Sequence, residues 1–202
     1  GLRFHNKFLQ ADAAIFYYEL KQAIVSRSDA NGAQYFVNAG GTRQPGLETK
    51  LTYHLIQPRL QGIVRKLELK NSFTWYVFSF DQYVAGANDY SGNRLTGVPR
   101  TIVVTSIYIE LLKGLYMYVQ YNHTARIPLN DGNTAFASSY HLLQTKIGCN
   151  FPVKKQTIGL YIGVDNILNE QYSLGNDLNA FGGRYYNAAP LRNFYAGAAY
   201  RF

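Results

Sequence analysis

The residues of this chain best suited to chemistry are His5, His54, His123 and His141, the single Cys149, and the stretch Ser139-Tyr140-His141 with Asp81 far upstream. Alternate residues of an extended chain share a face, so two histidine ligands on one strand require i, i+2 spacing. None of the four histidines has a partner at that spacing. A closed zinc site also needs a full set of nitrogen or sulfur ligands, and the neighbours that would complete one are missing. Ser139, His141 and Asp81 are the raw material for a hydroxyl activated by an imidazole, but such a relay is defined by geometry and no motif joins them. A lone cysteine closes no internal disulfide and names no compartment. The expectation is therefore a protein that is not an enzyme, holds no resident cofactor or metal, and uses its histidines as ordinary wall residues.

The elements that position these residues alternate with period two. Leu115, Met117, Val119 and Tyr121 interleave with Tyr116, Tyr118, Gln120 and Asn122. Leu143, Thr145, Ile147, Cys149 and Phe151 interleave with Gln144, Lys146, Gly148 and Asn150, and Ile158, Leu160, Ile162 and Val164 with Gly159, Tyr161, Gly163 and Asp165. Each segment thus has an apolar side and a wet side. The one stretch open to a helical reading, residues 11–25, is rich in residues that favour strands. The alternation predicts strands near 2–5, 8–26, 33–56, 63–84, 92–111, 114–129, 137–151, 157–168 and 190–202. The connections alternate between short (near 5–7, 57–62, 112–114 and 152–156) and longer (28–32, 86–93, 130–133 and 173–187). Strands this long, with short turns at one end and longer loops at the other, fit an outer-membrane barrel.

Composition agrees. Charged residues make up 16% of the 202 and aromatics 15%, including 18 tyrosines, against about 25% charged in ordinary soluble domains. The longest apolar run, 102–112, is interrupted by Thr105, Ser106 and Glu110, which excludes a membrane helix of ~20 apolar residues but not a barrel strand of ~9–11. The formal charge of +8 favours anionic ligands or anionic lipid. Its basic residues are scattered, with small groups at Arg65, Lys66 and Lys70 and at Lys154 and Lys155, so nucleic acid is not an expected partner. Tyr17, Tyr18, Trp75, Tyr76, Phe80, Tyr83, Tyr195, Tyr200 and Phe202 fall toward strand ends and are expected to form interfacial girdles. No leader precedes Leu2, so the chain is expected to be a piece of a longer exported protein, with Gly1 foreign to it.

The last residues put Phe194, Ala196, Ala198, Tyr200 and Phe202 on one face and end on the aromatic itself. Gly197, Tyr200 and Phe202 resemble the terminal assembly signal of outer-membrane barrels, an edge strand made to be paired. Other segments, in this order, resemble the TonB-dependent receptors. Residues 38–48 resemble the family's Asn-x-Gly … Gly-x-Glu strand. Residues 95–100 resemble its Val-Pro lead-in to a strand. Residues 164–172 (Val-Asp-Asn-Ile-Leu-Asn-Glu-Gln-Tyr) resemble its near-terminal Val-x-Asn-Leu segment, and 183–194 its closing Gly-Arg … Pro-x-Arg-x-Phe stretch.

The resemblance implies an all-β fold: about nine C-terminal strands of a 22-stranded antiparallel transmembrane β-barrel in the outer membrane of a Gram-negative bacterium, with the N-terminal plug domain absent from residues 1–202. It implies a receptor and transporter for a ferric siderophore, ferric citrate or a similar iron chelate, energised by the TonB complex through the missing plug, so that these residues alone do not transport. Its implied partners are outer-membrane lipid, the iron-chelate ligand and the barrel-assembly machinery. By position in the longer loops, the implied ligand contacts are Asn88, Asp89, Tyr90 and Arg94 in one, and Tyr172, Asn176, Asn179 and Phe181 in another. Aromatics offer flat contact and arginines charge-assisted bonds to anionic chelates. Gln120, Asn122, Lys146, Asn150 and Asp165 are expected to line the lumen. The alternatives are another outer-membrane barrel, a porin or adhesin, and a soluble β-sandwich or lipocalin-like binding module.

Overall fold

A computed structural model describes residues 1–29, 31–38, 40–59, 61–154 and 156–202, without the side chains of residues 25–28. Ala30, Ala39, Leu60 and Lys155, which the sequence reading placed in turns or in the 38–48 motif, lie outside the described residues.

Nine strands form one antiparallel meander in sequence order. They are β1 (Leu2–His5), β2 (Leu9–Lys21), β3 (Gly41–Ile56), β4 (Val64–Tyr76), β5 (Thr101–Leu111), β6 (Leu115–Thr124), β7 (Tyr140–Val153), β8 (Gln156–Asp165) and β9 (Asn193–Arg201). Ten residues, as in β6, rise about 24 Å at ~3.4 Å each and a ~45° tilt, close to the ~25 Å apolar band of a membrane barrel. No described helix is long and apolar enough to cross a membrane.

The register gives the two faces. Leu51, Asn71, Thr105, Tyr121 and Leu143 are successive partners across β3 to β7, and Ile147, Ile162 and Ala196 across β7 to β9. On this outer face large apolar residues stand open, with Ile15 81%, Ile162 65% and Phe194 76% exposed. The opposite face carries Lys50, Ser72, Val104, Asn122 and Leu142 in one row, and Lys146, Gly163 and Tyr195 in another. Gln120, Asn150 and Asp165 follow the same parity, as expected. What the wall buries is polar or small: Thr42, Thr52, Glu68, Ser106 and Thr124. An apolar surface this continuous is unstable in water and suited to hydrocarbon.

Glycines on the wet face admit aromatic rings. A Cβ at Gly148 would lie 2.5 Å from the Tyr116 ring, and one at Gly163 2.2 Å from the Tyr195 ring. Gly114 has a different reason: its φ of +76° closes the tight turn between β5 and β6, where a Cβ would lie 2.1 Å from the Asn150 carbonyl oxygen.

Several predicted strands are shorter than the alternation suggested. The 8–26 segment breaks at Gln22 (φ 57°) and the 33–56 segment at Gly40 (φ 67°), which sets off a separate hairpin of Ile24–Ser28 with Gln34–Asn38. The 92–111 segment starts at Thr101, because Gly97 adopts a φ of +82° and Pro99 has no N–H for the ladder. Residues 63–84 end as strand at Tyr76, and Ser79–Phe80 return to pair with Thr42 and Arg43 of β3. The girdle is also smaller than expected. Tyr17, Trp75 and Tyr200 sit on the outer face, while Tyr18, Tyr76 and Tyr195 face inward opposite Gln44, Gly46 and Gly163. Phe80, although its backbone pairs with Thr42 of β3, and Tyr83 belong to no girdle, since each side chain is almost fully buried.

Candidate functional site

The long connections 77–100, 125–139 and 166–192 leave the same end of the sheet and pack on one another. Their centre is Asp131, 2% exposed. It accepts hydrogen bonds from the Tyr83 hydroxyl (3.0 Å), the Thr96 hydroxyl (2.7 Å) and the Asn179 side-chain amide (3.1 Å). Its N–H donates to the Asn179 side-chain oxygen Oδ1 (3.0 Å), and its backbone carbonyl accepts from the Asn93 side-chain amide (2.8 Å). Leu129, fully buried, and the tilted ring pair Phe80–Tyr83 (4.8 Å) supply the apolar part. Buried carboxylates are stable only when hydrogen-bonded in this way.

The structure places the loop candidates in three settings. Asn88 and Asp89 form an exposed bridge with Val84 and Ala85. The Asp89 carboxylate accepts from the hydroxyl and N–H of Ser91, which hold its pKa below the ordinary aspartate value. Tyr90 and Asn179 belong to the loop core, Tyr90 by packing on Tyr83 (5.3 Å) and Asn179 through Asp131. Phe181 stands in a single 3₁₀ turn, half-exposed.

Tyr172 and Asn176 come together. They line a cleft of about 400 Å³ with Tyr140, Tyr186, Ile127 and Ala137. The Tyr172 and Tyr140 rings lie 4.9 Å apart. Burial raises the Tyr172 pKa, and Tyr140 and Asp165 add to the shift, so its phenol stays a hydrogen-bond donor. Asn176 Oδ1 is buried and has no hydrogen-bond partner among the described residues. Tyr140 is the register partner of Thr124 and continues the wet face of β7, so the cleft stands over the polar side of the sheet. Its chemistry is that of binding: flat aromatic walls, phenol donors and one unused amide oxygen. Arg94 sits in the neighbouring loop, its backbone N–H held by Asn133 (2.8 Å) and its guanidinium 5.8 Å from the Phe136 ring. Burial first, then Arg100 and Arg126, lower its pKa.

The histidines show what spacing along one strand misses. His123 and His141 are cross-strand partners on β6 and β7, with rings stacked at 4.6 Å, and the Tyr121 hydroxyl meets His141 Nδ1 at 2.6 Å. Only the register brings them together. Among the described residues no group of three or more potential ligands could hold a metal. Asp81 pairs with Arg43 and His141 meets Tyr121, so neither is set beside Ser139 by these bonds. On the wet face, Glu68 is held by Lys66 (3.1 Å) and Lys70 (2.9 Å), with His54 Nδ1 at 3.1 Å. At the C-terminus, Gly197 admits the Tyr161 ring, Tyr200 is on the outer face, and Phe202 is wholly exposed.

Comparison with known proteins gives one consistent answer. The family described as TonB dependent receptor-like, beta-barrel matches residues 1–167. The siderophore receptor PiuA from Acinetobacter baumannii superposes over 98% of the chain with a TM-score of 0.70 at 17% identity. BauA, the ferric preacinetobactin receptor of the same organism, superposes over 99% with a TM-score of 0.75 at 15% identity. The ferric yersiniabactin uptake receptor FyuA from Yersinia pestis superposes over 98% with a TM-score of 0.68 at 19% identity. The chain covers 26% of the first of these structures and 28% of each of the other two.

Proposed function

Because the chain belongs to the TonB-dependent receptor-like β-barrel family, we propose that residues 1–202 form the C-terminal wall of an outer-membrane receptor that takes up a ferric siderophore or a similar iron chelate. TonB energises transport through a plug domain supplied by another part of the protein, and the charged wet face around Glu68 lies against that plug. The outer face meets lipid in the outer membrane of a Gram-negative bacterium. Gly197, Tyr200 and Phe202 serve the barrel-assembly machinery. The chain carries no catalytic step.

The observation that supports this reading best is the cleft of Tyr140, Tyr172, Asn176 and Tyr186 over the polar side of a wall whose other side is apolar. A mostly aromatic concavity with a few polar groups is the usual form of a small-molecule site. Tyr172 and Asn176 are its proposed ligand contacts; Asn88, Asp89, Arg94 and Phe181 are proposed as further contacts from the loops outside the cleft lining, with Tyr90 and Asn179 holding the loop core.

The test uses the full-length receptor in detergent, titrated with ferric chelates and read by quenching of its intrinsic fluorescence. Tyr172→Ala and Asn176→Ala should each raise Kd about tenfold, the equivalent of ~1.4 kcal/mol. In cells, iron uptake should depend on TonB. Saturable binding of no ferric chelate, or variants that bind as tightly as the parent, would overturn the reading.

A further inference from the structure

We infer that the cations of the short turns, Lys7, Arg59, Lys113, Lys154 and Lys155, form a docking surface for anionic phospholipid headgroups in the inner leaflet of the outer membrane. The inference rests on the reading of the wall as a membrane barrel and adds the class of lipid that its short-turn end selects.

Charge is divided unevenly between the two ends of the wall. The short turns 6–8, 57–63, 112–114 and 154–155 carry those five cations and no Asp or Glu, so they account for five of the net +8. Each of the long connections, 22–40, 77–100, 125–139 and 166–192, carries acidic and basic residues in equal numbers. On the wall, Arg3, Arg43, Lys66 and Lys70 have carboxylate partners. The turn cations do not. Among the described residues, Lys7, Arg59, Lys113 and Lys154 have no carboxylate within ion-pairing distance, and all four are exposed.

Turn geometry does not account for these lysines. Lys113 and Lys154 stand at φ of 61° and 56°, the left-handed conformation that tight hairpin turns fill with Asn, Asp or Gly. A lysine is less stable there than an asparagine. Solubility does not account for them either, because acidic side chains serve it at least as well. A positive charge kept at a conformational cost in two turns, and present without an acid in the other two, points to an anionic partner.

The surroundings say which anion. Short turns of outer-membrane barrels lie on the periplasmic side, level with the headgroups of the inner leaflet. Beside each turn an apolar side chain stands exposed: Phe8, Ile63, Leu115 and Val153. Lys7 Nζ lies 4.7 Å from the centre of the Phe8 ring. The Gln57 side-chain amide donates to the Lys7 carbonyl and ties the first turn to the second. Arg59 Nε donates to the Val64 carbonyl (3.0 Å) and stays at the start of β4. Cations beside an apolar edge that continues the outer face match a lipid, whose acyl chains and phosphate arrive together. An acidic polypeptide would need no such apolar rim. The headgroups that fit are those of phosphatidylglycerol and cardiolipin, which carry net negative charge, rather than zwitterionic phosphatidylethanolamine.

The experiment reconstitutes the full-length receptor in vesicles of phosphatidylethanolamine with a minority of phosphatidylglycerol and counts the lipids it retains by native mass spectrometry. On the parent, the ratio of phosphatidylglycerol to phosphatidylethanolamine should exceed the bulk ratio by at least about fivefold, the scale of a single cation at an anionic surface. In the variant Lys7→Gln/Arg59→Gln/Lys113→Asn/Lys154→Asn/Lys155→Gln the ratio should fall to within about twofold of bulk. Asparagine suits positive φ, so this variant should keep the parent's heat-modifiable gel mobility. Replacing the four lysines by arginine should preserve the enrichment, and added salt should weaken it. Arg184→Gln, at the long-loop end, should leave it unaltered. A bulk ratio on the parent, enrichment that survives loss of the five charges, or loss of enrichment in the arginine variant overturns the lipid site and leaves the receptor reading standing. If the receptor does not enter vesicles at all, the membrane reading falls and the lipid site with it.

Discussion

The wall and the loop assembly above it are built on opposite rules. In the nine-stranded wall large apolar side chains point away from the protein, and the buried positions are threonine, serine, glutamate and glycine. In the loops the order reverts to that of a water-soluble protein, and the buried hydrophobics, Phe80, Tyr83, Leu129 and Ala137, all lie in the segments that join the wall strands. The wall therefore takes its cohesion from backbone ladders and from lipid, whereas the loops carry a small core of their own, pinned by a buried carboxylate. The two regions should fail under different insults.

The largest effect is expected at the loop hub. Asp131→Ala removes the acceptor for the Tyr83 and Thr96 hydroxyls and the Asn179 amide. Leaving such donors buried without partners costs on the order of 4 kcal/mol in total. Trypsin should then cut after Arg94, Arg100 and Arg126 far faster, while the barrel keeps its heat-modifiable gel mobility. An unchanged cleavage rate would mean that the loops are held by something other than Asp131. A somewhat smaller loss is expected from the wall. Ile162→Arg puts a charge on the outer face, where the side chain is 65% exposed. In a soluble sheet that change would be nearly neutral; at mid-bilayer it costs about 3 kcal/mol. Equilibrium unfolding in lipid vesicles should show the loss, and Gln144→Arg on the wet face should not. If the two variants behave alike, the assignment of faces is wrong.

The contrast also explains what the sequence made legible. Period-two alternation located every wall strand, and with it the wet face of Gln120, Asn122, Lys146, Asn150 and Asp165, because alternation is a local property. Strand ends were less legible. Gln22, Gly40 and Gly97 each turn the chain through positive φ, which a hydrophobic pattern does not register. The loop core was invisible for a physical reason: Tyr83 and Asp131, or Asp131 and Asn179, are joined across 48 residues, and such contacts have no period. The candidate site divides along the same line. Tyr172 and Asn176 line the cleft, but Tyr140 and Tyr186 needed the register and the loop packing to be seen, as did the stacked His123–His141 pair. Tyr90 and Asn179, read from position alone, carry structural bonds that only the folded loops reveal.

Within the wall, the close seating of rings over glycines offers a milder probe. Gly148→Ala places a Cβ 2.5 Å from the Tyr116 ring and 2.7 Å from the Leu160 carbonyl oxygen. The ring can swing away but the backbone cannot, so a cost of about 2 kcal/mol is expected. It should appear in vesicle unfolding, with loop proteolysis unaltered. Tyr116→Ala in the same background should recover part of it. Recovery of nothing would assign the strain to the backbone contact alone.

The smallest effect belongs to the loops and sets their response to acid apart from that of the wall. Asp89 is exposed, and its carboxylate accepts from Ser91, whose hydroxyl oxygen in turn accepts the N–H of Tyr83 (3.0 Å). The folded pKa of Asp89 is lowered by those bonds, so the unfolded segment binds its proton first as pH falls. The stabilisation is complete above the unfolded value of ~3.9 and is lost as pH drops through the lower folded value. Hydrogen exchange at the Ser91 and Tyr83 amides, corrected for intrinsic rates, should therefore show protection falling once the pH drops below the unfolded value of ~3.9. Asp89→Asn keeps the shape of the turn without the charge and should flatten that profile. A profile unchanged by Asp89→Asn would place the acid response of this loop on another carboxylate of the cap, with Asp131 the next to replace.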